Sequence, residues 1–288
     1  MADELFLSPL DQVHRAAGAQ FTEFGGWKLP LRFTSELAEH HAVRQTAGLF
    51  DLSHMAQFEV SGPAAGSGLD YALLGKHSDM PLGRASYSML LSEDGGVIDD
   101  LIVYRLGPEE FFVISNASNR AAVSEGLGRR LEQIDPATHF QDVTRDRALI
   151  AVQGPASPAI MAAAGFPQAS ELGYYRAAKA EWRGYPVVLA RTGYTGDTGF
   201  EVSIAGQVGP ELWEALIEAG RPHGLTLAGL AARDTLRLEA GMPLYGHELD
   251  LQTTPIEGGQ GGFVRSKEAD FVGKRALGER PVTKHLVG

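Results

Sequence analysis

The chain has 288 residues, 44% of them hydrophobic and 21% charged, with no cysteine and a formal net charge of −11 at pH 7. That length favours two packed units over one, and the composition supplies ample apolar material for a core. The missing thiol excludes disulfides, cysteine nucleophiles, thiolate zinc sites and iron–sulfur ligation, and the acidic balance argues against a nucleic-acid partner.

The opening residues, MADELFLSPLDQ, have neither a charged leader nor an apolar stretch, so no signal peptide is visible. No apolar run reaches membrane-spanning length, and a cytoplasmic protein with no membrane partner is the expectation. Gln57, Phe58, Glu59 and Val60 alternate polar and apolar, as a half-buried strand does. Ser61-Gly62-Pro63 breaks that strand, and a helical run follows through Leu69, Tyr71 and Leu74. The spacing predicts strands over 101–106 and 111–115 around the turn Gly107-Pro108-Glu109-Glu110. Val123, Leu127, Leu131 and Ile134 then recur at helical spacing.

The same order returns. Residues 148–152 are apolar enough for a strand, and Gln153-Gly154-Pro155 breaks it. A helix follows, with Ser157 as its expected cap, Pro158 in its first turn and Gly165 just past its end. Strands are predicted over 187–190 and 200–204 around a loop holding Tyr194 and Asp197. Leu212, Ala215, Leu216 and Ala219 mark the next helix. Gly62 and Gly154 thus hold equivalent places in two copies of a strand–Gly-Pro–helix unit. The fold class is α+β: two related subdomains, each an antiparallel sheet with helices on one face. A doubly wound parallel sheet fits less well, because hairpins connect the strands. The expected division sets residues 1–55, 140–180 and 225–265 against 56–139 and 181–224. Residues 266–288 are expected to be a surface connection, with His285 to Gly288 opening a strand that stops as it begins.

The usual nucleotide loops, a His-Glu-x-x-His helix, an EF-hand and a Gly-x-Ser-x-Gly elbow are all missing from the sequence. His40 and His41 are adjacent, so they do not share a helix face, and no metal is expected. Asn116-Ala117-Ser118 matches a glycosylation sequon, read as chance without a secretory signal.

Two stretches carry the chemistry. They are Gly95-Gly96-Val97-Ile98-Asp99-Asp100-Leu101-Ile102-Val103-Tyr104 and Arg191-Thr192-Gly193-Tyr194-Thr195-Gly196-Asp197-Thr198-Gly199-Phe200-Glu201. Each sets acidic side chains at a glycine-rich turn beside an apolar strand. A carboxylate held there is partly dried, with both oxygens available to one ligand. That suits a flat heterocycle bearing N–H donors and repels a phosphate. The chain reads as a small-molecule enzyme with an acidic pocket.

Together with further segments, these stretches resemble the aminomethyltransferase (T-protein) family of the glycine cleavage system. The further segments are Phe24 to Leu31, Gly48 to Met55, Gly83 to Ser88, Gly229 to Asp234, Arg237 to Gly246 and Asp270 to Lys274. The match runs in order over nearly the whole chain. The resemblance implies the aminomethyltransferase folate-binding fold, with a third, C-terminal β-barrel expected to be absent or only begun before Gly288. It implies transfer of the methylene carbon of an aminomethyl-lipoyl arm to tetrahydrofolate, with release of ammonia. The arm belongs to lipoylated H-protein, whose thiols fit a partner chain without cysteine. Two alternatives stay open: a related folate-dependent demethylase of a small methylated donor, and a non-enzymatic folate-binding regulator. The regulator is ranked last because its group carries a cysteine-containing signature.

The resemblance also assigns residues. Asp100 matches the family's essential aspartate, beside the folate nitrogens that receive the carbon. Asp99 is the better candidate for binding turn N–H groups. Glu201 matches a carboxylate on the pterin edge, with a solvent-facing strand residue as the competing account. Arg233 matches a ligand-binding arginine, against a helix-surface one. Asp234 is better explained as a surface partner of Arg237. Tyr87, Tyr175 and Tyr194 fall at ligand-lining positions, with packing an equal account for Tyr175. Met55 matches an adaptable apolar wall, or core filling. Asn116 matches a residue at a strand end near the site, or a turn amide. The run Ile256 to Phe263 departs from the family, its extra glycines being expected to loosen that segment.

Overall fold

The computed structural model describes residues 5–286. The chain opens with β1 (Phe6–Leu7), α1 (Asp11–Ala16), β2 (Gln20–Phe24), β3 (Trp27–Arg32), α2 (Glu36–Gln45) and β4 (Ala47–Asp51). There follow β5 (Ala56–Ser61), α3 (Ala65–Ala72), β6 (Ala85–Leu91), β7 (Val97–Gly107), β8 (Glu110–Ser115), α4 (Arg120–Ile134) and β9 (His139–Asp142). The next stretch holds β10 (Arg147–Gln153), α5 (Ser157–Ala163), β11 (Ala177–Trp182), β12 (Tyr185–Ala190), β13 (Gly199–Ala205), α6 (Gly209–Gly220), β14 (Leu225–Leu227) and α7 (Leu230–Glu239). Two short helices, α8 (Gly261–Ser266) and α9 (Lys274–Glu279), close it. Among the described residues no helix is long and apolar enough to cross a membrane.

The chain divides into two units, Met1–Met55 with Thr144–Met242, and Ala56–Val143 with Pro243–Gly288. In the first, six strands run β11-β12-β13-β10-β4-β14, beside a small sheet ordered β1-β3-β2. In the second, five strands run β6-β7-β8-β5-β9. Four consecutive places correspond: β6, β7, β8 and β5 match β11, β12, β13 and β10. Most neighbours are antiparallel; among the described strands only the β1–β3 and β14–β4 pairs are parallel. The duplicated breaks obey one backbone rule. Gly62 and Gly154 have φ of +128° and +121°, a region that side chains rarely enter, so the strand-to-helix turn takes glycine in both copies.

Each sheet buries one face under helices. In the second unit Val123, Leu127 and Leu131 of α4 sit one turn apart and pack with Val60, Leu101 and Val103. Full burial of each such side chain contributes about 1.5–3 kcal/mol. Ile134, the last of that series, is exposed. In the first unit Leu212 and Leu216 of α6 pack on Ile150, Phe200 and Val202.

Several expectations change. Residues 181–224 belong to the first unit, because β13 pairs with β10 along its length, Ala151 opposite Glu201, and β12 pairs with β13. Residues 243–265 belong to the second, because the Val97 N–H bonds the carbonyls of Asp250 and Thr253, and Leu249 joins a core of Met89, Leu91 and Val97. The expected surface connection is partly core as well. Phe271 and Leu277 are buried in that cluster, and Lys267 Nζ donates to the Leu73 and Gly75 carbonyls at 2.7 and 2.6 Å. Ser157 does not cap α5: Ala156 holds the cap place, and the Ser157 hydroxyl donates to the Thr198 carbonyl. His285 and Leu286 are not in a strand, and Val287 and Gly288 lie outside the described residues. The glycine-rich run has a partial explanation, since a Cβ on Gly258 would lie 2.5 Å from Leu249 and Gly259 has φ +77°.

Candidate active site

The expected site residues form two clusters, one in each unit. The second unit's cluster is built on β7. In its pairing with β6, Leu90 faces Asp99 and Leu91 faces Val97, so Ile98 is an extra residue. Such a bulge re-aims the side chains next to it. Asp99 is fully buried with Val97, Leu101 and Val103, whereas Asp100 is half-buried with Ile98 and Ile102. The Tyr87 hydroxyl donates to Asp100 Oδ2 at 2.9 Å. Asn116, just past the end of β8, donates its amide to Asp100 Oδ1 at 2.8 Å and to Asp99 Oδ1 at 2.9 Å. Asp99 also accepts from the Asn116 backbone N–H at 2.9 Å and the Asn119 amide at 2.6 Å. Burial raises the Asp100 carboxyl above its ordinary range, and the Tyr87 and Asn116 donors oppose that.

The first unit's cluster gathers around the loop between β12 and β13. Glu201, 9% exposed, sits near the start of β13 and accepts from the Thr192 hydroxyl. The Arg233 guanidinium, on α7, lies 4.5 Å from the Tyr194 ring centre. Burial lowers its proton affinity, while Tyr194 and Glu201 restore part of it. His54 is buried beside Phe24, and its Nδ1 has no hydrogen-bond partner. Burial and the Arg233 charge push His54 down to about 3, so its ring is neutral at physiological pH. Met55, the next residue, is half-buried in the turn after β4. Tyr175 donates its backbone N–H to the Arg191 carbonyl at the base of the loop and has φ +56°, a left-handed value uncommon for a bulky residue.

The loop owes its shape to Gln153 and Arg44. Gln153 is 2% exposed, accepts from the Thr195 hydroxyl at 3.0 Å and donates to the Thr192 carbonyl at 3.1 Å. It lies between Gly193 and Gly199, where an added Cβ would come within 2.0 and 2.3 Å of its amide group. Two of the motif's glycines therefore make room for one glutamine. Arg44, in the last turn of α2, donates to the Thr195 carbonyl, Asp197 and Glu239.

The structure thus joins Tyr87, Asp100 and Asn116 in one hydrogen-bonded group, and gathers Tyr194, Glu201 and Arg233 in another. Met55 and Tyr175 lie in the same unit as the second group. Asp234 is exposed and pairs with Arg237 at 2.8 Å as expected, but Arg237 is itself buried, so the pair is not a purely surface one. Sequence reasoning missed Gln153, Arg44 and His54. The paired glycines around Tyr194 were the available signal for Gln153; nothing local marks the others. Among the described residues no group of three or more His, Asp or Glu could hold a metal ion.

A family model described as the GCVT N-terminal domain matches residues 10–268. The aminomethyltransferase of Saccharopolyspora erythraea is 50% identical over 285 residues, covering 98% of this chain and 77% of its own length. That of Streptomyces avermitilis is 50% identical over 275 residues, covering 94% and 72%. Among solved structures, the glycine cleavage system aminomethyltransferase T of Bartonella henselae superposes with a TM-score of 0.87 at 36% identity, over 96% of this chain and 74% of that one. The relatives' shared name does not favour the demethylase and regulator alternatives. By sequence and by fold, the chain belongs to the aminomethyltransferase family, the T-proteins of the glycine cleavage system, which are folate-dependent one-carbon group transferases.

Proposed function

We propose that this chain moves the methylene carbon of an aminomethyl-lipoyl arm, carried by H-protein, onto tetrahydrofolate and releases ammonia. The observation that carries the reading is the Asp100 carboxylate, half-buried on its strand and held at both oxygens by Tyr87 and Asn116. A carboxylate fixed in that way has one direction of approach and a raised proton affinity, which suits a base. Asp100 positions the attacking amine, takes its proton, and stabilises the cationic centre that forms as ammonia leaves. The carbon exchanges its bonds to nitrogen and sulfur for bonds to the folate nitrogens, with no change of oxidation state. The displaced groups keep the protons that the folate nitrogens give up.

The first unit's cluster supplies complementary chemistry. Glu201 takes two parallel N–H bonds from the pterin's 2-amino and N3 groups, and Arg233 donates to its carbonyl. The donor set fits, since a pterin edge offers both donors and an acceptor and the cluster holds a carboxylate beside a guanidinium. Tyr194 flanks the flat rings, and Tyr175 and Met55 of the same unit are further lining candidates. The thiols of the reaction stay on the lipoyl arm, in keeping with a chain that has none.

The test is turnover with lipoylated H-protein and tetrahydrofolate. Asp100→Asn removes the charge at nearly constant shape. It is expected to keep folate binding while losing about 10²–10⁴-fold in rate. Full turnover by that variant would remove Asp100 from its role. Methyl transfer from a small methylated donor, with none from the lipoyl arm, would reassign the reaction.

A further inference from the structure

Asp99 and Asp100 share one supporting side chain. Asn116 Nδ2 is 2.9 Å from Asp99 Oδ1 and 2.8 Å from Asp100 Oδ1. Those two oxygens are therefore within ~6 Å of each other, close enough for each charge to feel the other through a partly buried medium. Strand alternation sends neighbouring side chains to opposite faces. Asp99 accordingly points to the face covered by α3 and α4, a costly place for a carboxyl group unless it is fully hydrogen-bonded. It is so bonded: three N–H groups converge on it, from the Asn116 backbone, the Asn116 amide and the Asn119 amide. A residue that served only to satisfy the turn would need the backbone bond alone. Two of these three bonds instead immobilise Asn116, the same side chain that holds Asp100 Oδ1.

We propose that Asp99 is a positioning residue for the transfer reaction: it fixes Asn116, and through the Asn116 amide it fixes the direction in which Asp100 offers its carboxylate. This rests on the reading of Asp100 given above and extends it to a residue one position earlier. With Tyr87 on Oδ2 and an anchored Asn116 on Oδ1, Asp100 has both oxygens pinned. Without Asp99 the Asn116 side chain keeps only its bonds to Asp100 itself, at Oδ1 and at the backbone carbonyl 3.2 Å away, so the donor on Oδ1 loses the anchor that lies outside Asp100.

The electrostatics supply an independent readout. Burial and the nearby Asp100 charge push Asp99 up to about 8, against the pull of the Asn119 and Asn116 donors. The other ionisable groups facing the pair are Tyr87 from β6 and the half-buried Tyr245. The Tyr245 hydroxyl is raised by burial and by Asp99, Asp250 and Asp100. Ionisation of Asp99 places a second charge beside Asp100, so kcat is expected to show an inflection near pH 8.

The experiment compares Asp99→Asn, Asn119→Ala and Asp100→Asn with the unaltered chain, using lipoylated H-protein and tetrahydrofolate across pH 6–9. For Asp99→Asn the expectation is a kcat loss of about tenfold or more, a KM for tetrahydrofolate within about twofold, and no inflection. Asn119→Ala removes one donor to Asp99 without touching Asp100. It is expected to cost about twofold to threefold in kcat and to move the inflection upward, because the ionised form loses a partner. A folded Asp99→Asn protein with unaltered kcat, or with the inflection still in place, would overturn the proposal. So would an activity loss that only follows the folded fraction measured by circular dichroism. If Asp99→Asn does not fold, the direction of the inflection shift in Asn119→Ala decides. Full turnover by Asp100→Asn sinks the underlying reading. An inactive Asp100→Asn beside an unaffected Asp99→Asn sinks only this extension.

Discussion

Replacing Glu39 tests how the first unit holds α7 and the arginine that α7 carries. Glu39 is fully buried, on α2. One of its oxygens accepts the Phe33 and Thr34 backbone N–H groups at 2.7 and 2.8 Å. The other accepts the N–H of Gly229, the cap residue just before α7, at 2.9 Å. Glu39→Gln keeps one acceptor for Phe33 and Thr34 and turns an amide N–H toward the Gly229 N–H. One orphaned buried donor costs about 1–3 kcal/mol, and the remaining bonds lose their charge assistance, so a total of about 3 kcal/mol is expected. Glu39→Ala orphans three backbone donors and leaves a cavity, for about 4–5 kcal/mol. The assay is urea unfolding followed by tryptophan fluorescence. All three tryptophans, Trp27, Trp182 and Trp213, belong to the first unit, so the signal reports that unit alone. Hydrogen exchange at the Gly229 amide should accelerate in step. A Glu39→Ala protein within about 1 kcal/mol of the original would refute the reasoning, because it would mean that the three donors find other partners without loss.

Three more outcomes are expected. Glu201→Gln exchanges one acceptor oxygen for a donor and should weaken tetrahydrofolate binding about tenfold or more by calorimetry, with unchanged affinity contradicting the pterin assignment. Gly199→Ala drives a Cβ to within 2.3 Å of the Gln153 amide and should cost about 1–3 kcal/mol; trimming Gln153 to Ala in that background should recover part of it, and no recovery would place the strain elsewhere. Glu257 is raised by burial, but donors from Thr283 and Thr254 outweigh that and hold it at about 2, below its ordinary 4.5. Because the folded value is the lower one, its stabilising contribution is present above 4.5 and is lost as pH falls toward 2. The stability gap between the original chain and Glu257→Gln should therefore close over that range in circular-dichroism melts, and a constant gap would remove Glu257 from the ledger.

The alternation at 57–60, the periodicity of 123–131 and the Gly-Pro breaks after β5 and β10 were legible because each is local. A strand's period, a helix's stripe and a glycine's φ depend on neighbours a few residues away. Asp100, Glu201 and Arg233 stood out as candidates because whole motifs surround them. The division of the chain was not. Residues 181–224 carry strands that would satisfy either sheet by pattern, and only the pairing of β13 with β10 assigns them.

What the amino-acid order settled by itself was the α+β class, the internal duplication and the exclusion of thiol chemistry. Tertiary structure alone decided which strands share a sheet. It also decided that Gln153 fills the space vacated by Gly193 and Gly199, and that Asn116 reaches both aspartates of β7. The physical reason is range: a dihedral preference is written in a residue and its neighbours, but a hydrogen bond between residues 100 and 116, or 39 and 229, exists only once the chain has brought them together.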